Sequence, residues 1–491
     1  MKIFIVDTFY GPYLQRLYAD GQLVHQPWAQ QHKAHFAGGF GTGDAYSHGL
    51  GLLGVEAIDI VANSASLQQA WAREHRPELL QLSEQGGQQL LAILEAQIRW
   101  WQPTVLYVQD INWLPGAFIK HVKPLVEMVV GQNACPLAAG LDLNQYDLLL
   151  TAVPHYVEHF RECGVAAEYL PIGFDERLIL HHDTNKTRSE QLTFVGGLGG
   201  FHSQGTQLLE SIAQEVPLNV WGYGGNSLPL SSCLHQRWKG EAWAEDMYAL
   251  LANSKVTLNR HIDIAKGYAC NMRLYEATGM GACLVTDNKS NLTTLFEPDN
   301  EIVTYATVSE AVSKINELIK NPSLAATIAY NGQKKTIKEH TYSGHMHLLL
   351  SILRRCIKQL PKKIDGCQNK IHPKLISHLK SNRLLIASTY RCFKQGLAWT
   401  EKIKRINGID FDISFIVDKE LKTQASNIWM PINEADLRRL SIACLNIVKP
   451  SAIVLFSDYD ELGSSLISSI KELSIFNGIV LKYHFVIGSN D

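Results

Sequence analysis

The segment from Asn271 to Asn288 places an arginine and a glutamate three residues apart, before two glycines and an apolar run. This spacing predicts that Arg273 and Glu276 lie about one turn apart at the start of a helix. Free backbone N–H groups at a helix N-terminus attract anions, and the planar guanidinium of arginine fits phosphate oxygens. The carboxylate of Glu276 can accept hydrogen bonds from paired hydroxyls such as those of a ribose. These residue types are typical of a site for a nucleoside diphosphate.

Further residues upstream could bind the same ligand. Arg260 lies in a predicted strand at 256–261, and parallel α/β sheets bind ligands beyond the carboxyl ends of their strands. The run 194–200 contains Gly196 and Gly197, where backbone could approach a sugar phosphate closely. Taken alone, an arginine and a glutamate at this spacing are more often a surface ion pair, and a glycine turn is usually only a turn. The order of these features within one predicted α/β unit favours the binding site.

The elements that must position these residues follow an alternation of apolar runs and amphipathic stretches, which is typical of parallel strands covered by helices. Strands are predicted at 2–7, 56–63, 104–110, 125–132 and 148–153, and again at 192–199, 218–224, 256–261, 282–287 and 301–305. Helices are predicted at 90–101, 244–254 and 309–321. The sequence therefore predicts an α/β protein with two Rossmann-like domains in tandem.

Composition limits the classes of function. The 491 residues, 46% hydrophobic and 19% charged, are enough for two or three domains, and the net charge of −2 argues against a nucleic-acid partner. The N-terminal apolar run is too short for a secretory signal, and no apolar run reaches the ~18 residues of a membrane helix. Nine widely spaced cysteines without a C-x-x-C pair indicate a reducing compartment, not a disulfide framework or a zinc site. We therefore expect a cytoplasmic protein.

The pattern divides the chain into four parts, namely a first Rossmann-like domain at 1–168, a second at 169–356, a basic linker at 357–382 and a smaller C-terminal α/β module at 383–491. The stretch 334–383 carries twelve lysines and arginines against two acidic residues. It is either a solvated helix and linker or a patch that faces anionic lipid or a phosphate-bearing acceptor. The second interpretation predicts peripheral contact with the inner face of a membrane.

Residues 258–305 and 332–346 resemble the donor-binding half of GT-B glycosyltransferases, in particular the CgeB-like (spore maturation protein B-like) group. Residues 40–63, 67–74 and 154–175 resemble the first half of that group, so that the resemblance extends over about 1–355. It implies two Rossmann-like domains facing a cleft, with a nucleotide sugar, most simply a UDP- or GDP-sugar, held by the second domain. The first domain would hold a glycan, lipid-linked or protein acceptor, as in polysaccharide biosynthesis.

By this resemblance the donor's diphosphate and ribose would contact four residues, namely Arg260, Asn271, Arg273 and Glu276. The sequence departs from the pattern where many retaining GT-B enzymes have a second glutamate, since Tyr268 occupies that position. A basic pair common after the first donor-domain strand is also missing, with His202 and Gln204 nearby. These departures leave open whether transfer inverts or retains the anomeric configuration.

Glycosyl transfer needs stabilisation of the leaving nucleoside diphosphate, which gathers negative charge as the glycosidic bond breaks. Arg260 and Arg273 could supply this stabilisation without a metal. An inverting enzyme also needs a base for the acceptor hydroxyl, and we expect it from the loops of the first domain. The candidates are Asp44, with His48 as the weaker choice in the same glycine-rich run, and Asp110 at the end of a strand. Asp44 could instead cap the helix that follows it.

The C-terminal module carries a separate hypothesis. Residues 433–462 resemble the part of family-two GT-A glycosyltransferases in which a strand ends in an Asp-x-Asp, here Asp458 and Asp460. Such a pair can bind a divalent metal that bridges a nucleotide diphosphate. A truncated or degenerate transferase domain used for docking is the alternative.

The sequence thus predicts a hexosyltransferase-like enzyme whose main site works without a metal. A non-catalytic nucleotide-sugar-binding or scaffold protein and a nucleotide-sugar epimerase of the same fold are the alternatives. The presence of both Arg273 and Glu276 favours the enzyme. The sugar, the nucleotide base, the acceptor and the oligomeric state stay open.

Overall fold

The structure is a computed structural model that describes residues 1–83, 87–182, 187–199, 203–261 and 265–360, together with four strands at 383–388, 412–417, 452–458 and 481–487. The chain divides into two compact units, Met1–Gln359 and Leu360–Asp491. Within the described part of the chain, every helix is too short or too polar to span a lipid bilayer.

The first sheet of the first unit consists of six parallel strands in the order β2-β1-β3-β4-β5-β6. Its strands are β1 (Lys2–Asp7), β2 (Glu56–Val61), β3 (Val105–Val108), β4 (Met128–Gln132), β5 (Leu148–Thr151) and β6 (Ala167–Tyr169). Helices alternate with them, namely α1 (Gly11–Leu17), α2 (Trp28–Ala37), α3 (Ala45–Leu52), α4 (Ala65–His75), α5 (Gln88–Trp101), α6 (Gly116–Val122) and α7 (Pro154–Glu162). Strands β3 and β5 are buried along their whole length, which is why they are continuous apolar runs.

The second sheet has five parallel strands in the order β11-β10-β9-β7-β8. Its strands are β7 (Glu190–Val195), β8 (Asn219–Trp221), β9 (Ser254–Asn259), β10 (Cys283–Asp287) and β11 (Val303–Tyr305). Its helices are α8 (Ser203–Glu215), α9 (Cys233–Arg237), α10 (Ala244–Asn253), α11 (Arg273–Gly279), α12 (Leu292–Leu295), α13 (Val308–Lys320) and α14 (Pro322–Glu339), and α15 (Tyr342–Gln359) follows them. Short 3-10 turns lie at Leu23–His25, Pro77–Gln81, Lys123–Leu125, Leu143–Gln145, Glu176–His181 and Gly225–Ser227.

Helix α13 illustrates how local sequence produces these elements. The hydroxyl of Thr307 accepts a hydrogen bond from the Glu310 amide and thereby caps the first turn. Ala311, Ile315 and Leu318 recur at helical spacing and are the buried residues of the helix. An apolar stripe with a capped start is sufficient to place this helix from sequence.

The predicted α/β fold with two Rossmann-like sheets is confirmed. The strand predicted at 125–132 begins only at Met128, because Pro124 lies in a 3-10 turn, Lys123–Leu125. Strand β6 was missed, since three residues that pair only with β5 at the sheet edge show little periodicity.

Helix α15, the last helix of the first unit, packs against the half of the unit that contains the first sheet. Phe174 and Tyr342 run side by side, with the Tyr342 amide donating to the Phe174 carbonyl at 2.9 Å. Helix α15 then packs on α3, where a Cβ at Gly49 would lie 2.6 Å from Cγ of Met346. The predicted linker at 357–382 would begin inside α15, which ends at Gln359. The boundaries at 168 and 356 stay predictions.

The second unit contains a four-stranded parallel sheet in the order β13-β12-β14-β15. Its strands are β12 (Arg383–Ser388), β13 (Asp412–Val417), β14 (Ala452–Asp458) and β15 (Leu481–Ile487). Asp458 is the last residue of β14, whereas its side chain and the whole of Asp460 lie outside the described residues. The metal site predicted for this pair stays a prediction.

Candidate functional site

A cavity of about 490 Å³ lies between the two sheets of the first unit. Its walls come from the carboxyl ends of strands in both sheets, the position at which parallel α/β sheets bind ligands. The residues at these ends are Asp7 in β1, Gln109 after β3, Gln132 in β4, Gly196 after β7, Gly222 after β8 and Arg260 after β9. The volume is within the range of small-molecule sites.

Asn271 ties the start of α11 to the end of β9. Its side-chain amide donates to Oδ1 of Asn259 at 2.9 Å and to the Arg260 carbonyl at 3.0 Å. The Asn259 amide in turn donates to the hydroxyl of Thr286 in β10. The predicted donor-side residue Asn271 therefore lies in the cavity wall and also fixes the direction in which α11 enters it.

Arg273 and Glu276 form an ion pair within the wall of the cavity. Nη1 of Arg273 lies 2.6 Å from Oε2 of Glu276, and the Glu276 residue is only 6% exposed. Nε of Arg273 donates to the Val195 carbonyl at 3.0 Å, which connects α11 to the end of β7. Oε1 of Glu276 accepts a hydrogen bond from the Tyr248 hydroxyl at 3.3 Å. The alternative of an exposed surface ion pair is therefore wrong, because Glu276 is buried and the side chain of Arg273 is only 16% exposed.

Arg260 packs over the first turn of α8. A Cβ atom built at Gly205 would lie 1.3 Å from Nη1 of Arg260, so only glycine leaves room for the guanidinium in its observed place. This packing brings a permanent cation next to the N-terminus of a helix, where backbone N–H groups and the helix dipole also favour anions. Both features are chemically suited to an anion at this side of the cavity.

The glycine-rich loops after β7 and β8 touch each other backbone to backbone. Gly222 has a φ of 140°, and a Cβ there would lie 1.8 Å from the carbonyl oxygen of Gly196. Gly196 and Gly197 both line the cavity. The contact explains why this turn requires glycine, and it leaves backbone instead of side chains facing the ligand space.

Asp7 at the end of β1 lines the opposite side of the cavity. One carboxylate oxygen accepts a hydrogen bond from the Thr8 amide at 2.7 Å. Burial raises the pKa of Asp7 to about 7, and the negative charge of Asp110 acts in the same direction. Sequence reasoning missed this residue as a site candidate, although an acid at the carboxyl end of the first strand is the same signal that pointed to Asp110.

The predicted bases lie elsewhere. Asp44 precedes α3 without a capping hydrogen bond, and its carboxylate instead lies 2.6 Å from Nη2 of Arg177, which also binds Asp175. His48 is in α3, and among the described residues that line the cavity neither it nor Asp44 occurs.

Asp110 is adjacent to the wall residue Gln109. Its carboxylate accepts hydrogen bonds from the Thr8 hydroxyl at 2.6 Å and from the Asn112 amide at 3.1 Å. The structure thus brings the predicted donor-side residues together and leaves the three predicted bases outside the described lining of the cavity. Their catalytic roles stay predictions.

Four aromatic side chains form one end of the cavity, two from each sheet's half. They are Tyr10, Phe40, Tyr223 and Trp243. The rings of Tyr223 and Trp243 are parallel with centroids 5.7 Å apart, and Tyr10 meets both of them edge-on. Flat aromatic surfaces of this kind stack with nucleobases or with the apolar face of a sugar. Sequence reasoning missed this cluster, because its members are separated by up to 233 positions.

Among the described residues, no group of three or more histidine, cysteine, aspartate or glutamate side chains is arranged to hold a metal ion. The cations that face the cavity are instead the guanidinium groups of Arg260 and Arg273.

Residues 204–351 match the family model described as "Glycosyl transferase-like". The matched segment contains all four predicted donor-side side chains, from Arg260 to Glu276. This part of the chain is therefore similar to that family. No curated protein matches the sequence.

Solved structures similar to this chain include a sucrose-phosphate synthase from Thermosynechococcus elongatus, at 10% identity and a TM-score of 0.46, covering 73% of this chain and 100% of that one. Anabaena HepE in complex with UDP-glucose is 13% identical with a TM-score of 0.48, covering 72% and 100%. AviGT4, a glycosyltransferase involved in avilamycin A biosynthesis, is 13% identical with a TM-score of 0.45, covering 73% and 98%. The CgeB-like subgroup is not tested by these matches and stays a prediction.

Proposed function

We propose that the chain is a glycosyltransferase of GT-B type that transfers a sugar from a nucleotide-diphosphate sugar to a hydroxyl acceptor. The observation that carries this proposal is the convergence of Arg260, Asn271, Arg273 and Glu276 on one cavity, within the segment that matches the glycosyl transferase-like family. Facing them, across the same cavity, is a wall from another α/β half where an acceptor can bind.

The diphosphate of the donor binds between Arg260 and the glycine loop at 196–197. Arg260 supplies charge, and the backbone at Gly196 and Gly197 allows close approach of phosphate oxygens. Negative charge on the diphosphate increases as the bond to the sugar breaks, so these groups stabilise the transition state more than the bound donor. This role needs no metal in the site.

Glu276 binds the ribose of the donor. Its two oxygens each accept one hydrogen bond from protein, from Arg273 and from Tyr248. A carboxylate offers about four acceptor positions, so both oxygens retain capacity for the ribose hydroxyls. Arg273 therefore acts mainly by holding Glu276 in place, and only in part as a phosphate contact.

The test is a panel of UDP-, GDP-, dTDP- and CMP-sugars, measured by calorimetry and by release of the nucleotide, with and without EDTA. We expect one donor, a UDP- or GDP-sugar, to be bound and slowly hydrolysed regardless of EDTA. Glu276→Gln should weaken donor binding, whereas Glu317→Gln, a substitution at an exposed position of α13, should not. Absence of binding to every donor would contradict the proposal. Binding without turnover would instead identify a nucleotide-sugar-binding or scaffold protein.

We further propose that the basic stretch 334–383 contacts the inner face of a membrane. Arg354 and Lys358 line one surface depression along α15, which supports this role, whereas Arg355 in the same depression forms an ion pair with Glu168 at 2.7 Å. Lys335 instead forms an ion pair with Glu339 in the next turn. Co-sedimentation with vesicles should show binding that increases with the anionic lipid content and decreases with salt. Equal sedimentation with neutral vesicles would contradict the proposal.

A further inference from the structure

Asp7 is an acid whose position relative to the donor-side residues carries a further inference. It ends β1, which lies inside the first sheet between β2 and β3. It lines the same cavity as Arg260 and Arg273, but from the half of the unit that the donor-side residues do not occupy. A sugar held by its diphosphate at those arginines would therefore lie between them and Asp7.

Within the described part of the chain, the carboxyl of Asp7 forms no ion pair with a lysine, arginine or histidine. The titratable groups that interact with it from the elements packed around it are Tyr10 before α1, Tyr46 in α3, Asp59 in β2 and Asp110 after β3. Burial also raises the pKa of Asp59, to about 8, so that this neighbour is largely uncharged at neutral pH. With its own pKa raised to about 7, Asp7 can both take up and release a proton near neutral pH.

The other carboxylates of this half are engaged differently. Asp44 is held by Arg177, whose Nη2 lies 2.6 Å from Oδ1 of Asp44, and it is not among the described residues that line the cavity. Asp110 accepts hydrogen bonds from Thr8 and Asn112. Among the described residues that line the cavity from the first half, Asp7 is the only one with a carboxylate side chain. The geometry thus favours Asp7 over both of these predicted bases.

We propose that Asp7 is the general base of the transfer, an inference that rests on the proposed function. The acceptor hydroxyl gives its proton to the carboxylate of Asp7 while its oxygen forms a bond to C1 of the donor sugar. The bond between C1 and the diphosphate oxygen breaks, and its electron pair leaves with the nucleoside diphosphate. After the products depart, Asp7 releases the proton to water. A single displacement of this kind inverts the configuration at C1.

The first measurement is donor hydrolysis, in which water replaces the unidentified acceptor. With the donor found in the panel, kcat/KM of the unchanged protein should rise with pH through about 7, because the base must be ionised. Asp7→Asn should lower kcat by roughly a hundredfold to ten-thousandfold and remove this dependence. Its donor affinity by calorimetry should change by less than about threefold, since Asp7 lies outside the diphosphate contacts.

Two variants serve as comparisons. Asp20→Asn changes an exposed aspartate in the same way and should leave the rate and the pH profile unchanged. Asp44→Asn tests the competing base directly. An acidic phenol such as para-nitrophenol, offered as the acceptor at mildly alkaline pH, needs no base because it is then largely ionised. With it, the difference between the unchanged protein and Asp7→Asn should nearly disappear.

The anomer of the released sugar, followed by NMR, completes the test. Inverted sugar supports Asp7 as the base, and this measurement, like the pH profile, needs no variant to fold. Retained configuration would overturn the inference while leaving the proposed transferase intact. The inference is equally overturned if Asp7→Asn hydrolyses the donor with the unchanged rate and pH profile, or if Asp44→Asn is the variant that loses both. Absence of donor binding would overturn the proposed function itself.

Discussion

Gly205→Ala should displace the guanidinium of Arg260 without unfolding the protein. The added Cβ would lie 1.3 Å from Nη1, 1.6 Å from Cζ and 1.8 Å from Nε of Arg260. Non-bonded heavy atoms need about 3.5 Å, so the group must move by about 2 Å. The clash involves the far end of a flexible side chain, and alanine is favoured over glycine in a helix, so the fold should tolerate the change.

The loss of affinity follows from this displacement. A hydrogen bond to a charged group contributes about 1.5–3 kcal/mol, and 1.4 kcal/mol corresponds to a factor of ten. If Arg260 binds the donor diphosphate, Gly205→Ala should weaken nucleotide-diphosphate binding by roughly tenfold to a hundredfold. The free energy of unfolding, measured with urea, should change by no more than it does for an exposed helix substitution, about 1 kcal/mol.

The assay is calorimetric titration of Gly205→Ala, Arg260→Ala and the double variant with the nucleotide diphosphate that binds the unchanged protein. Because both single changes remove the same interaction, the double variant should bind like Arg260→Ala alone. Gly51→Ala is the matched control, since a Cβ at that helical glycine meets no atom within 4 Å. It should leave affinity unchanged.

Two results would refute the reasoning. Unchanged affinity in Gly205→Ala would show that Arg260 does not bind the diphosphate from its observed position. Fully additive losses in the double variant would show that Gly205 acts through the backbone of α8 and not through Arg260.

Three further predictions concern stability and are measured by urea unfolding. Glu276→Ala should lower the free energy of unfolding by about 3–5 kcal/mol, because it leaves the largely buried guanidinium of Arg273 without its carboxylate partner. An effect below about 1 kcal/mol would refute this. Burial raises the pKa of Asp287, but the hydrogen bonds and charges of His261 and Lys289 outweigh it and hold the pKa below its ordinary 3.8. The stability that these contacts contribute is therefore present above that pH and is lost as the pH falls below it. Asp287→Asn should therefore flatten the acid limb, and an unchanged limb would contradict the assignment. Gly49→Ala should lower the free energy of unfolding by about 1–3 kcal/mol, because the added Cβ forces α3 away from α15. An unchanged urea midpoint would disprove this.

Much of the framework was predictable because it depends on local pattern. The run 2–7 forms β1 with the predicted bounds, since a strand buried on both faces must be a continuous apolar segment. The pairing of Arg273 with Glu276 also follows from local geometry, because residues three apart on a helix are neighbours in any fold.

The candidate bases of the first α/β half were less predictable. Asp44 and His48 were chosen for their glycine-rich context, but Arg177, 133 positions further along, engages the Asp44 carboxylate. Asp7 becomes a candidate only when the cavity shows that it faces the donor side and when burial raises its pKa. Neither fact is encoded in the residues next to it.

The sequence by itself determined the two parallel α/β halves and the helix that carries Arg273 and Glu276, because apolar periodicity and helix-start chemistry act over a few residues. Only the tertiary structure decided that Gly205 makes room for Arg260, that the aromatic rings of both halves meet, and that α15 returns to α3. These contacts join residues far apart in the chain. Their formation depends on how whole elements pack, and packing selects which of the charged residues face the cavity.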